Sequence, residues 1–209
     1  LLTVKATLNR IPSTQSETSA KIHKLVKNAP IYTIGYGTRS VEDLLSALKT
    51  HGVEFLVDIR TKPVSAYKPE YCQLPLSNAA ARVGIKYLFL GDSLGGLPDD
   101  PESFTNGKVD YTKLGARPFF QEGITRVRDG AAKGHVMALM CSEGKPHECH
   151  RSKLVGEILA AGGLDVRHID ENGAVQSQEA VINRLTGGQQ DFFGYAFTSR
   201  KRYKESDTP

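Results

Sequence analysis

The chain has 209 residues, 39% hydrophobic and 24% charged, with 20 glycines, 10 prolines and no tryptophan. This is the makeup of one ordinary globular domain with extensions at its ends, and it excludes a collagen-like, disulfide-scaffold or wholly disordered chain. The formal charge of +4 sits in one place: Lys5, Arg10, Lys21, Lys24 and Lys27 face only Glu17 within residues 1–30, so residues 31–209 are neutral on balance. The domain-wide basic face of a dedicated duplex binder is therefore not expected.

No window approaches the roughly 18 consecutive apolar residues of a membrane helix, and the N-terminus lacks the charged-then-apolar layout of a secretory signal. Cys72, Cys141 and Cys149 are too few for a stapled secreted scaffold. The expectation is an intracellular, cytoplasmic protein with reduced thiols and no membrane association.

Residues 1–29 read as a basic appendage with one short helix over Lys21 to Asn28. The domain begins with a β-prone run, Ile31 to Ile34, closed by the loop Gly35-Tyr36-Gly37. A helix follows with Ser40 as N-cap, Val41, Leu44, Leu45 and Leu48 on one face, and Gly52 after its last turn. Phe55-Leu56-Val57 leading into Asp58-Ile59-Arg60 is a second strand. A proline-punctuated loop, a helix over Leu76 to Val83 and a third strand over Lys86 to Leu90 come next. Gly91 to Gly115 reads as one long loop, a length typical of functional lids. Pro118 suits the first turn of a helix carrying Phe119, Phe120, Ile124 and Val127. The apolar run Val136 to Met140 is a buried fourth strand, a helix runs from Cys149 or His150 to Ala161, and Val166 to Ile169 is a fifth strand. A last helix spans Gln178 to Leu185, and residues 187–209 form a polar, basic tail. Strands alternating with helices predict a three-layer α/β sandwich over residues 30–186, with a mostly parallel sheet of about five strands and helices on both faces.

Ligands of such sheets bind beyond the carboxyl ends of the strands. Reactive side chains gather after the second and fourth strands. Cys141, following the fourth strand, opens a loop that ends at a helix start carrying Cys149, His150 and Arg151, where backbone N–H groups and the helix dipole favour an anion and lower the pKa of a thiol. Three readings stand open. One is catalytic, with Cys141 as nucleophile, Glu143 and His150 as proton carriers and Arg151 on an anionic group. A second is a metal site of Cys141, His147, Cys149 and His150. The third is structural, with buried cysteines and with His150 and Arg151 satisfying helix-end and sheet-end hydrogen bonds.

Asp58 and Arg60, two apart, share a side of their strand. Either the carboxylate holds the guanidinium as an anion clamp, with Asp58 among the catalytic groups, or the pair is an internal tie between strand and loop. Arg60 and Arg151 are expected to face one ligand. Gly35-Tyr36-Gly37 with Asp58 further on is a poor dinucleotide fingerprint, because Ser40 stands in place of the third glycine. No cofactor is assigned.

Thr33-Ile34-Gly35-Tyr36-Gly37-x-x-Ser40, Leu56-Val57-Asp58-Ile59-Arg60-x-x-Pro63-x-Ser65, Gly84-Ile85-x-Tyr87, Leu94-Gly95-Gly96 and Leu139-Met140-Cys141-x-Glu143-x-x-Pro146-x-x-Cys149-His150-Arg151 occur in that order. Over residues 31–186 this set resembles the DUF488 family. The resemblance implies a compact α/β domain of unassigned activity and marks Gly35, Asp58, Arg60, Pro63, Ser65, Gly95, Gly96, Cys141, Glu143, Pro146, Cys149, His150 and Arg151 as motif positions. Many relatives carry His-Ser after the first glycine, where this chain has Tyr36-Gly37. The layout is also distantly similar to rhodanese and cysteine-phosphatase domains, although the nine residues between Cys141 and Arg151 exceed the five-residue phosphate cradle of those phosphatases.

Two function classes follow. One is an enzyme, a hydrolase or transferase, using Cys141, Glu143, His150 and Asp58 on a small anionic substrate held by Arg60, Arg151, Gly35, Tyr36, Ser65, Gly95, Gly96 and Cys149. The other is a non-catalytic nucleotide or nucleic-acid binding module using the same pocket and the basic termini, with Tyr67, Tyr71, Phe192, Phe193, Tyr195 and Tyr203 as stacking faces.

Overall fold

The computed structural model describes residues 28–189 and 196–203. The expected helix at Lys21 and the aromatics Phe192, Phe193 and Tyr195 lie outside the described residues. The strands are β1 (Ile31–Gly35), β2 (Phe55–Asp58), β3 (Lys86–Phe89), β4 (Phe104–Thr105), β5 (Lys108–Val109), β6 (Met137–Cys141), β7 (Val166–Ile169) and β8 (Val175–Ser177). The helices are α1 (Val41–Thr50), α2 (Gln73–Arg82), α3 (Gly91–Leu94), α4 (Tyr111–Gly115), α5 (Pro118–Ala132), α6 (Glu157–Ala161) and α7 (Gln178–Thr186), and a π-helical segment (Arg151–Gly156) leads into α6.

The main sheet has six strands in the order β3-β2-β6-β1-β7-β8. All its pairings are parallel except β7 with β8. The sixth strand escaped sequence reading because it is three residues long and none of its residues is buried, so no apolar period marks it. The stretch read as one long loop also holds structure: α3, the β4–β5 hairpin and α4.

Alternation along the strands divides the core between two faces. Ile31, Val57, Met137, Leu139, Cys141 and Val166 meet α4, α5, α6 and the π-helical segment through Leu114, Phe120, Ile124, Val127, Leu154, Val155 and Leu159. Tyr32, Ile34, Leu56, Ala138, Met140 and Ile169 meet α1 and α2 through Val41, Leu44, Leu45, Leu48, Leu76 and Ala80. The α1 start follows its sequence signal: Ser40 Oγ accepts from the Asp43 N–H at 3.0 Å.

One buried polar chain locks β1 and β7 to α7 and the π-helical segment. Thr33 Oγ1 lies 2.6 Å from His168 Nδ1, and His168 Nε2 lies 2.6 Å from Gln178 Oε1. The Gln178 amide donates to Ser152 O at 2.9 Å and to Glu157 Oε1 at 2.6 Å. A side chain thus takes a carbonyl from within the helix, and Gly156 leaves room for the intruding amide. This local insertion accounts for the wide π turn.

Burial pushes the His168 imidazole down to about 4. Its unfolded value is near 6.5, so the unfolded chain takes up a proton that the folded one refuses. Stability from this residue is therefore complete above pH ~6.5 and drains away as pH falls towards ~4, by about 3 kcal/mol in all. Urea midpoints across that window should slope downward with acid in the native protein and lose that component of the slope in His168→Gln. An unchanged slope would show that another group carries the acid sensitivity.

Candidate anion and thiol site

The β1–α1–β2 crossover and the β6–α6–β7 crossover leave the central pair β1 and β6 in opposite directions. This opens a crevice at the carboxyl ends of those strands. There Gly35 and Cys141 stand side by side in register. Gly35 is required to be small, because a Cβ would overlap Glu143 O and Arg151 Nη1.

A cavity of about 190 Å³ opens beside this point, its walls including Arg60, Gly96, Cys141, Glu143, Cys149 and His150. Pro146 starts a 3-10 turn, Pro146–Glu148, which Cys149 closes by donating its N–H to Pro146 O at 3.2 Å. Ser152 Oγ pins the same carbonyl at 2.6 Å. The turn carries the Cys149 sulfur to 3.3 Å from Glu143 Oε2, 3.5 Å from His150 Nδ1 and 2.9 Å from Cys141 Sγ. The Arg151 backbone N–H also points at this sulfur, at 3.4 Å. Gly96 packs on the His150 ring, where a Cβ would come within 2.8 Å of it.

The two thiols are not equivalent. Cys141 is fully buried, and burial together with the Cys149 contact pushes its thiol well up, against the pull of Arg151. This corrects the expectation of a lowered thiol pKa at Cys141: the helix start and the arginine are present, but desolvation outweighs them. Burial also pushes the Glu143 carboxyl up, yet His150, its own backbone N–H and the neighbouring thiols override it and leave the carboxyl below its ordinary value.

Asp58 stands behind Arg60. Its carboxylate accepts from Arg60 Nε at 2.9 Å, Arg60 Nη2 at 2.5 Å and Tyr87 Oη at 2.6 Å. Arg60 Nη2 also reaches Tyr71 O at 2.8 Å. Burial alone would lower the guanidinium's pKa, and Asp58 more than restores it. Of the two sequence readings of this pair, the internal tie is present. Asp58 ties strand to loop and does not line the cavity, whereas Arg60 does line it, and its Nη1 is buried with no hydrogen-bond partner among the described residues. His150 Nε2 is likewise buried without a partner among them.

Other expected site residues are placed elsewhere. Arg151 is fully buried; its Nη2 donates to Gly144 O at 2.7 Å and its Nη1 lies 3.5 Å from Cys141 Sγ. It braces the loop from within and is not part of the cavity wall that Arg60 lines. Tyr36 stacks on Tyr71 with centroids 4.2 Å apart, on the α1–α2 face, under the Arg60 guanidinium. Ser65 shapes its own loop, its hydroxyl accepting from Lys68 N at 3.0 Å. Gly95 lets α3 close against Thr61, where a Cβ would overlap Oγ1. Tyr71 is fully buried and offers no stacking face, whereas Tyr67 is 99% exposed. Of the metal set, Cys141 and Cys149 meet with Glu143, their ligand-type atoms within 4.8 Å of one another, and neither His147 nor His150 is in that group.

Sequence reading missed the contribution of residues 196–203. Ser199 N–H donates to Val109 O at 2.9 Å and Tyr203 N–H to Gly107 O at 2.7 Å, so the segment lies along the β4–β5 hairpin. Arg200 pairs with Glu148 at 2.8 Å. Ser199, Arg200, Lys201 and Tyr203 thereby close one side of the cavity. The basic run Arg200-Lys201-Arg202 was visible in the sequence, but its destination was not.

Among the described residues, no helix is long and apolar enough to cross a membrane. No curated protein and no solved structure matches the chain. The motif-bearing stretch does match a family: residues 40–158, more than half of the chain and including Asp58, Arg60, Cys141, Glu143, Cys149, His150 and Arg151, fit the domain of unknown function DUF488, and the chain belongs to that family.

Proposed function

We propose that this protein is an enzyme, a hydrolase or transferase, that acts on a small substrate bearing a phosphate or sulfur oxyanion. Arg60 Nη1 and His150 Nε2 bind the anion, Cys149 is the nucleophile, and Glu143 and His150 carry protons to and from it. One observation supports this most directly: Arg60 and His150, each with a buried nitrogen that has no hydrogen-bond partner among the described residues, line the same cavity as Cys149. Buried polar groups are ordinarily satisfied, and a site that leaves donors open beside a thiol is suited to an incoming oxyanion. Lys62, Arg200 and Lys201 around the opening add positive charge. Asp58 and Arg151 are positioning residues in this scheme.

Calorimetric titration with inorganic phosphate and sulfate, alongside turnover of 4-nitrophenyl phosphate and thiosulfate, tests the scheme. Arg60→Lys keeps a cation against Asp58 but loses the fork, and is expected to weaken phosphate binding at least tenfold, about 1.4 kcal/mol. Cys149→Ala is expected to bind phosphate normally and to turn over nothing. Unchanged phosphate affinity in Arg60→Lys would refute the anion site. Phosphate binding without turnover of either compound by the native protein would refute the enzyme and favour the non-catalytic nucleotide or nucleic-acid module.

A further inference from the structure

Cys141 and Cys149 approach each other for reasons of fold and not of sequence proximity. One is the last residue of β6 and the other closes the turn after the loop, which folds back over the strand end. Their sulfurs are 2.9 Å apart, closer than ordinary van der Waals packing of two thiols. From this contact we propose that Cys141 and Cys149 form a reversible disulfide, driven by a small peroxide that enters the cavity and reacts at Cys149.

The division of labour between the sulfurs follows from their surroundings. Cys149 belongs to the cavity wall and has Glu143 Oε2 at 3.3 Å, His150 Nδ1 at 3.5 Å and the Arg151 N–H at 3.4 Å to receive its proton and steady a thiolate. Cys141 borders the same cavity but has no exposed surface, where Cys149 keeps 2%, and its sulfur touches that of Cys149. An oxidant therefore meets Cys149 first, and Cys141 is in place to resolve the product.

The Cys149 thiolate attacks one peroxide oxygen, the O–O bond breaks, and the departing oxygen takes up the proton lodged on Glu143 or His150 to leave as water or an alcohol. Cys149 is then a sulfenic acid. The Cys141 sulfur attacks the Cys149 sulfur, the S–O bond breaks, and the hydroxyl leaves as water with the Cys141 proton. Two thiols and one peroxide give a disulfide, one water, and a second water or an alcohol, with two electrons passing from sulfur to oxygen. A dithiol reductant reverses the reaction.

Cys72 stands apart from this pair. It sits in a separate loop, its sulfur 3.3 Å from Ser65 N and 3.6 Å from Ser65 O. A consequence for activity rests on the preceding functional reading: the oxidised protein lacks its nucleophile and is silent until reduced.

The test needs no substrate. The full chain carrying Cys72→Ser is treated with a modest excess of hydrogen peroxide, alkylated with N-ethylmaleimide and analysed by mass spectrometry. Trypsin leaves residues 134–151 as one peptide, because Lys145 precedes Pro146. That peptide is expected to lose the mass of two hydrogens and to accept no maleimide, and dithiothreitol should restore both. In Cys141→Ser the same peptide should instead gain a single oxygen at Cys149, trapped by dimedone. Complete alkylation of both thiols after peroxide overturns the proposal, as does over-oxidation of Cys149 beside a free Cys141. Because the readout is mass, these outcomes stand apart from any failure of phosphate binding or turnover.

Discussion

Gly35→Ala is expected to destabilise the protein by about 3 kcal/mol or more and to abolish anion binding. The added Cβ would overlap the backbone oxygen of Glu143 and the Arg151 guanidinium. Neither can step aside cheaply. The oxygen belongs to the loop that follows β6, and Arg151 is held at Gly144 O, with its guanidinium fully buried. Overpacking a tight site typically costs about 1–3 kcal/mol when side chains can adjust, and more when backbone must move. Moving the loop also displaces Glu143 and the Cys149 turn from the cavity. Gly144→Ala is the matched control: its Cβ would meet only ordinary contacts, at 3.6 Å from Gly37 and 3.8 Å from Glu171, so its urea midpoint should stay close to the native one. Equal midpoints for both variants would show that β1 and the loop are less tightly engaged than these contacts imply.

Asp58→Asn carries the second large effect, about 3–5 kcal/mol. The substitution preserves shape but removes the charge facing a guanidinium that is only 5% exposed. It also removes one of the two carboxylate oxygens that Arg60 and Tyr87 share. The loss comes from stranding a buried cation, so Asp58→Asn combined with Arg60→Gln should be more stable than the sum of the two single losses predicts. A double-mutant cycle by urea denaturation measures this coupling. Strict additivity would mean that the pair is solvated enough to be energetically independent. Phosphate affinity should fall in Asp58→Asn even where folding is restored by low temperature, since Asp58 holds the Nε and Nη2 edge of the Arg60 fork in place at the cavity wall.

The site was legible in the sequence to the extent that its residues lie next to strand ends. Arg60, Gly96, Cys141, Glu143, Cys149 and His150 share one cavity, and all but Gly96, which comes after α3, end a strand or lie in the segment that directly follows one. Arg151 shows where that reasoning stops. Position at a helix start says that a cation is near the site, but not which way a side chain with four rotatable bonds turns. Here the close approach of Gly35 and the carbonyl of Gly144 hold it inside, against the Cys141 sulfur and off the cavity wall. Tyr36 was misplaced for a related reason. The loop after β1 turns its ring onto Tyr71, a partner far along the chain that no local pattern announces.

By itself the sequence determined the alternation of strands and helices, the capped start of α1 at Ser40 and the apolar identity of β6. These are local properties, set by side-chain period and capping chemistry within a few residues of each position. Only the tertiary structure decided that β6 inserts between β1 and β2, that β8 pairs at the edge, and that residues 196–203 return to wall the cavity. Those outcomes depend on burial and hydrogen bonds between segments far apart in the chain. The same long-range pairing sets Cys141 beside Gly35 and, through the loop that folds back, presses its sulfur against that of Cys149.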